Sequence, residues 1–219
     1  MDTSLLIWAK GTGLQLATLI MLGGLIMRVS HMLILGRSKD LSEARDVNLL
    51  VAGMKTIIRR FKPPAGMFKK SPFVYINGYV FHLGLFVIIV FSMPHIEVFE
   101  GAFGISWPGL SRFFIDAVTV ITILSLLLGL AYRLWQPVHR LLSGWDDYLV
   151  WTLTFLPLLT GYMAYHHLMS DYITILTLHI LSVELLMVCV PFTSLSHMLT
   201  LFVARAYNGM ISGRKGVQS

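Results

Sequence analysis

The sequence predicts an all-α, polytopic membrane protein: a bundle of five transmembrane helices with its N-terminus outside and its C-terminus in the cytoplasm. Three observations lead there. Charged residues are 13% of the 219, well below the roughly 25% usual in soluble domains, and the mean hydropathy is +0.73. Uninterrupted apolar stretches of about 20 residues recur along the chain, each long enough to cross the hydrocarbon as a helix. The basic residues, which give a net charge of +6, gather in a few polar segments.

The five spans fall at about 4–27, 73–95, 113–133, 148–166 and 173–204. The first apolar run begins at Leu5, with no basic leader and no small-residue cleavage site, so it reads as a retained span rather than a signal peptide. Residues 28–72 form the one long polar segment. It carries ten of the seventeen Lys and Arg: Arg28, Arg37, Lys39, Arg45, Lys55, Arg59, Arg60, Lys62, Lys69 and Lys70. Arg133 and Arg140 follow the third span, and Arg205, Arg214 and Lys215 sit in the tail. Glu97, Glu100 and Asp171 dominate the opposite side, where Lys10 and Arg112 are the basic residues. The positive-inside rule then fixes the orientation, and an odd number of spans agrees with it. Basic residues placed this way point to a membrane, not to nucleic acid.

A cytoplasmic amphipathic segment is expected over 40–62. Val47, Leu50, Val51, Met54, Ile57, Ile58 and Phe61 recur at helical spacing, with Arg45, Lys55, Arg59 and Lys62 mostly off that face. Pro63-Pro64 ends it. Such a helix suits the anionic inner leaflet or the docking of a cytoplasmic subunit, and the two roles are compatible. There is no internal repeat. Cys189 is the one cysteine and lies mid-span, so no disulfide framework or cysteine-held cluster is available. Any iron–sulfur wiring must sit on a partner.

The histidines carry the chemistry. Four of eight lie in or at the ends of two spans, where a polar group needs a reason to be. His179 and His197 are five helical turns apart, which on one continuous helix puts both imidazoles on one face, about 27 Å apart. The second and fifth spans run in opposite directions. His82 and His197 therefore share the cytoplasmic half, and His95 and His179 the outer half. The two spans thus offer two cross-helix pairs, and one pair of facing neutral imidazoles is what each bis-histidine haem b requires. The registers differ, because His82 and His95 are only about 20 Å apart in rise and His95 follows Pro94 at the span's edge. His166 and His167 are spare candidates, though adjacent residues point about 100° apart. An interfacial anchor with Tyr162 and Tyr165 suits them better, and propionate contacts or interface packing suit His31 and His139.

At these residues the chain resembles a known superfamily. Phe81-His82-Leu83-Gly84 in the second span resembles a motif of the cytochrome b (gamma) subunit of respiratory nitrate reductase, as does the fifth span, where Leu178-His179 leads to Pro191-Phe192 and Leu195-Ser196-His197. The superfamily includes membrane cytochromes b of sulfur-metabolism and heterodisulfide-reductase-type complexes, and the resemblance covers essentially the whole chain. It implies that His82 and His197 hold an inner haem and His179 one side of an outer one. The chain departs from the pattern at Ser92, where a second histidine is expected. Either His95 takes that role, or the outer haem is absent or differently ligated.

Glu184, five residues beyond His179, is an intramembrane carboxyl suited to accepting a proton from a quinol or to a hydrogen bond with a neighbouring helix. Asp116 reads as a helix N-terminal charge. Arg28, Arg133 and Arg205, at inner span ends, are propionate partners or snorkelling anchors. Gly78 and Gly84 flank His82 and allow close approach of a helix or a flat macrocycle.

The expected function is that of an electron-transfer subunit of a respiratory oxidoreductase complex. It would carry one or two haems b and connect membrane quinone (menaquinone included) to a cytoplasmic iron–sulfur subunit, in the inner membrane of a prokaryote. The rival is a haem-free anchor or proton-coupled transporter. Broken helices or inverted repeats would mark that rival, and the sequence alone displays neither.

Overall fold

A computed structural model describes residues 3–35, 45, 48–168 and 171–217. Arg37, Lys39, Val47 and most of the expected segment before Asn48 lie outside the described residues. Every regular element within them is helical. Four helices are long and apolar enough to cross a membrane: Thr3–Ile34, Pro72–Phe91, Arg112–Trp135 and Tyr172–Phe192.

In chain order, α1 is Thr3–Ile34, with a π-helical stretch at Ala9–Gly13. Then come α2 (Leu49–Arg59), α3 (Ala65–Lys70), α4 (Pro72–Phe91), α5 (Met93–Phe103) and α6 (Arg112–Trp135). The remainder are α7 (Pro137–Leu142), α8 (Trp145–Tyr165), α9 (Tyr172–Cys189) and α10 (His197–Lys215). The expected span at 148–166 is α8. Its 21 residues are long enough, but Asp146 and Asp147 in its first turn and Pro157 inside it make it less apolar than the four.

Two expected spans end early. The apolar run after Tyr172 stops being α-helix at Cys189. Pro191 has no N–H to give and bars a continuing turn, so the chain passes through 3₁₀ turns at Val190–Phe192 and Ser194–Ser196, with Thr193 extended between them. His197 is the first residue of α10. His179 and His197 therefore do not share one helix, and the five-turn argument for a common face fails. The expected single span 173–204 is two helices and a break. Likewise α4 ends at Phe91, and Ser92, extended at φ −77° and ψ 129°, separates it from α5, which contains His95.

The chain forms two compact units, one of residues 1–11 and 68–183, the other of 12–67 and 184–219. In the first, α4 and α6 pack antiparallel. Asn77 donates to the Ser125 carbonyl at 3.0 Å, and the Phe73 and Tyr132 rings lie 4.5 Å apart. Gly84 sits so close to fully buried Thr122 that a Cβ there would overlap the threonine hydroxyl. Gly84→Ala is accordingly expected to destabilise the unit by about 1–3 kcal/mol. Thr122→Ala in the same chain should restore much of the loss, read as the unfolding midpoint in detergent. α8 joins α6 through the Trp151 indole on the Leu126 carbonyl (3.0 Å) and an Arg133–Asp147 ion pair (3.0 Å).

Asp171 starts α9. Its carboxylate accepts from the Ile173 and Thr174 amides at 3.1 and 3.4 Å and from the Thr174 hydroxyl. The hydroxyl bond holds its pKa below the usual carboxylate range. A depressed native pKa means stabilisation present above the unfolded value of about 3.9 and lost as pH falls through the native one. The unfolding midpoint of wild type should exceed that of Asp171→Asn at neutral pH, and the gap should close in acid.

In the second unit, α2 lies antiparallel on α10. Asn48 caps α2, accepting from Leu50 and Val51 at 3.1 and 3.2 Å. The packed face is small rather than greasy. A Cβ on Gly53 would come 3.0 Å from the Ala206 carbonyl, and one on Gly209 would come 2.5 Å from the Thr56 hydroxyl. The large apolar residues Leu50, Met54, Ile58 and Phe61 are exposed. The apolar face expected from the sequence is largely exposed, and at its end Phe61 lies beside Phe202 and Arg205 of α10. Gly24 of α1 receives the ring of Pro191, 2.5 Å from where its Cβ would be.

Candidate functional site

α8 and α9 build one half of the site. Pro157 sits inside α8, and its carbonyl accepts from His179 Nδ1–H at 3.0 Å. Gly161, one turn on, leaves the room: a Cβ there would be 2.9 Å from His179 Cε1. The Thr160 hydroxyl lies 3.4 Å from His179 Nδ1 and 3.2 Å from the Ser182 hydroxyl. Pro157, Thr160 and Gly161 thus seat one imidazole of α9.

The helix break at Ser92 builds the other half. Ser92 is buried and extended, and its carbonyl accepts from the His95 and Ile96 amides at 3.0 and 3.1 Å as α5 begins. That turn lets His95 Nδ1–H reach back to the Ile88 carbonyl at 2.9 Å. The result is a pair. The His95 and His179 rings have centroids 6.3 Å apart and planes 23° apart.

Two imidazoles bound on opposite sides of one metal ion would have centroids about 6.4 Å apart, from about 2 Å per metal–nitrogen bond and about 1.2 Å from nitrogen to ring centre. Ordinary aromatic pairs also reach this distance. The hydrogen bonds set this pair apart. A carbonyl can only accept, so both Nδ1 atoms carry the proton, and in the neutral ring Nε2 carries the lone pair. Such an Nδ1 bond is the usual support of a metal-bound histidine.

The other two sequence-selected histidines are held in the same way. His82 Nδ1–H donates to the Gly78 carbonyl at 2.7 Å, and His197 Nδ1–H to the Ser194 carbonyl at 2.7 Å. Both are exposed, and they belong to different compact units. Gly84 faces α6, so His82, two residues earlier and about 200° round the helix, points away from it. In the second unit, Arg28 donates to the Ser196 hydroxyl at 2.9 Å, one residue before His197. Arg205 lies over the Phe61 ring at 5.5 Å. Glu184 is 7% exposed, and among the described residues its Oε1 has no hydrogen-bond partner.

His166 differs. Its Nε2–H donates to Asp116 at 3.0 Å, and its ring lies 4.4 Å from that of Tyr162 and 5.5 Å from that of Tyr165. Asp116 therefore pairs across helices rather than serving the start of α6, where Ser111 caps by accepting from Phe114 at 3.4 Å. His167 has a positive φ of 51° and packs on Tyr172. The seat on α8 and the Asp116–His166 pair are absent from the sequence reading. Pro157 is visible there as an interruption, but only the fold says which imidazole it meets. Among the described residues no group of three or more His, Cys, Asp or Glu could hold a metal ion.

These features define an all-helical protein of multi-pass membrane character, with a supported histidine pair in its first unit. A protein of Nitratidesulfovibrio vulgaris is 29% identical over 205 residues, which cover 91% of this chain and 90% of that one. No family model matches the chain, and no solved structure does.

Proposed function

We propose that the protein is a haem b-carrying membrane subunit of a respiratory oxidoreductase complex, similar to the nitrate reductase gamma-type cytochromes b. The His95–His179 pair carries this reading: two imidazoles with ring centroids 6.3 Å apart, each with Nδ1–H engaged by a carbonyl, would hold the haem. A bound haem b would bring its own porphyrin nitrogens, so two histidines from the chain would suffice to hold it. His82 and His197, held by the same kind of bond, are the proposed ligands of a second haem, with Arg28 and Arg205 as propionate partners. Bound haem supplies one-electron redox chemistry. The chain's residues orient it, and Glu184, buried and unpartnered among the described residues, is the proposed acceptor of a quinol proton.

With α8 counted as a fifth span, the bias of Lys and Arg supports an N-terminus outside and the basic segments inside, in the inner membrane of a prokaryote. The partner is a cytoplasmic iron–sulfur protein, and the electron donor or acceptor on the membrane side is quinone or menaquinone. One observation favours a second reading. The breaks at Ser92 and Val190–Ser196 are of the kind found in transporters, which suits a haem-free, proton-coupled subunit or anchor. A reduced-minus-oxidised spectrum separates the two: a b-type band supports the cytochrome, and a folded protein with none supports the rival.

A further inference from the structure

We propose that the turn between α6 and α8 is a membrane-interface anchor, in which Trp135, Val138, Leu141, Leu142 and Trp145 enter the boundary between lipid headgroups and acyl chains. These five large apolar side chains are 66–85% exposed and lie close together in the chain. α7 supplies the middle three: it starts at Pro137, and Val138, Leu141 and Leu142 share one face at three- and four-residue spacing. The other face is polar and tied down. Arg133 donates to the Ser143 hydroxyl at 2.8 Å and pairs with Asp147 at 3.0 Å. The Ser143 hydroxyl donates to the His139 carbonyl at 2.7 Å, and the Gly144 amide to Asp147 at 3.0 Å. The His139 ring lies 5.3 Å from that of Tyr132. A braced turn thus holds its polar groups inward and its apolar ones outward.

The position of the turn says what covers its outward face. α6 is long and apolar enough to cross a membrane. α8 runs antiparallel beside it from end to end: Arg133 meets Asp147, the Leu126 carbonyl meets the Trp151 indole, and Asp116 meets His166. A bilayer crossed by α6 therefore encloses both helices and leaves the turn at one of its edges. The six residues of α7 are about 9 Å long, so no part of it lies far from that edge. The patch is also the end of a longer one. Ile121, Leu124, Leu128 and Trp135 form an exposed stripe along α6 at helical spacing, the surface that acyl chains would meet. Trp135 belongs to both stripe and patch, so lipid that covers the first reaches the second. Indole suits that depth, with its ring among apolar groups and its N–H towards water.

The test uses the full chain in phosphatidylcholine vesicles, with Cys189→Ser and a nitroxide on one introduced cysteine: Val138→Cys, Leu141→Cys or, on the opposite side of α7 at 100° per residue, Arg140→Cys. Collisions of the nitroxide are read with oxygen, which concentrates among acyl chains, and with a water-soluble nickel chelate. The oxygen-to-nickel ratio is expected to be severalfold higher at positions 138 and 141 than at 140, and unchanged when phosphatidylglycerol is added to the vesicles. The wild-type chain gives a second reading that needs no labelled variant. Lipid brominated near the headgroup end of its acyl chains should quench its tryptophan emission, and Trp135→Phe with Trp145→Phe should lower the quenched fraction. Equal ratios at 140 and 141, both open to nickel, would leave the turn in water and its apolar face to a soluble partner. Positions 138 and 141 closed to both reagents would mean a face covered by protein. A high ratio only with phosphatidylglycerol present would make the contact one of charge, through Arg140. A quenched fraction unmoved by the tryptophan changes would take both indoles out of the lipid. Each of these results overturns the proposal.

Discussion

Replacing Gly161 by valine is expected to remove one of the two proposed b-type haems while leaving every histidine in place. The reason is steric. His179 Cε1 would lie 2.9 Å and Nδ1 3.1 Å from a Cβ at position 161, and valine adds two further carbons in that direction. The ring cannot keep its 3.0 Å bond to the Pro157 carbonyl and also clear the new side chain. Overpacking of this kind costs about 1–3 kcal/mol in stability, a loss a bundle of this size can survive. The imidazole would then be displaced from the position in which it would hold the proposed haem. Haem content per chain should fall from two to about one, and the retained signal should be the one lost in His82→Ala. Gly161→Ala should give a partial loss. Full haem content in Gly161→Val would show that the seat on α8 does not position a ligand.

The second large effect is at His95. His95→Gly should also lose one haem, and free imidazole in the buffer should restore the band, because a detached imidazole can supply the lone pair that the side chain carried. A merely structural histidine would show no such rescue. Adding Ser92→His to His95→Gly should not restore it. Ser92 is buried at a helix break, with its carbonyl taken by two amides and its own amide donating to Ile88 at 3.3 Å. A histidine there has neither the space nor the direction of one on a continuous helix. Restoration by Ser92→His would mean that α4 runs on through position 92 when haem is bound.

The third span was legible because hydropathy and helix end together: the expected 113–133 is Arg112–Trp135. The expected 73–95 begins at Pro72 but stops at Phe91, short of the break at Ser92. α1 was expected to stop at 27 and continues to Ile34, since Arg28 and His31 end the apolar run without breaking the helix. Pro191 is visible in the sequence, but the apolar residues run on past it, so hydropathy alone joins α9 to α10 and gives His179 and His197 a common face that the break removes. His95 as the neighbour of His179 was legible from the antiparallel spans alone. Its bond to Ile88 was not, because it needs the turn at Ser92. Asp116 and His166 are fifty residues apart and meet only through the packing of α6 on α8. The face of α2 that packs was hidden for a related reason. Small residues such as Gly53 and Thr56 give no amphipathic signal, yet they let α10 approach most closely.

A reduced-minus-oxidised absorption spectrum of the purified protein, with haem assayed per chain, tests the proposal most directly. The account predicts a b-type band with two haems per chain, falling to one in His95→Gly. A folded, monodisperse protein with no such band would contradict it.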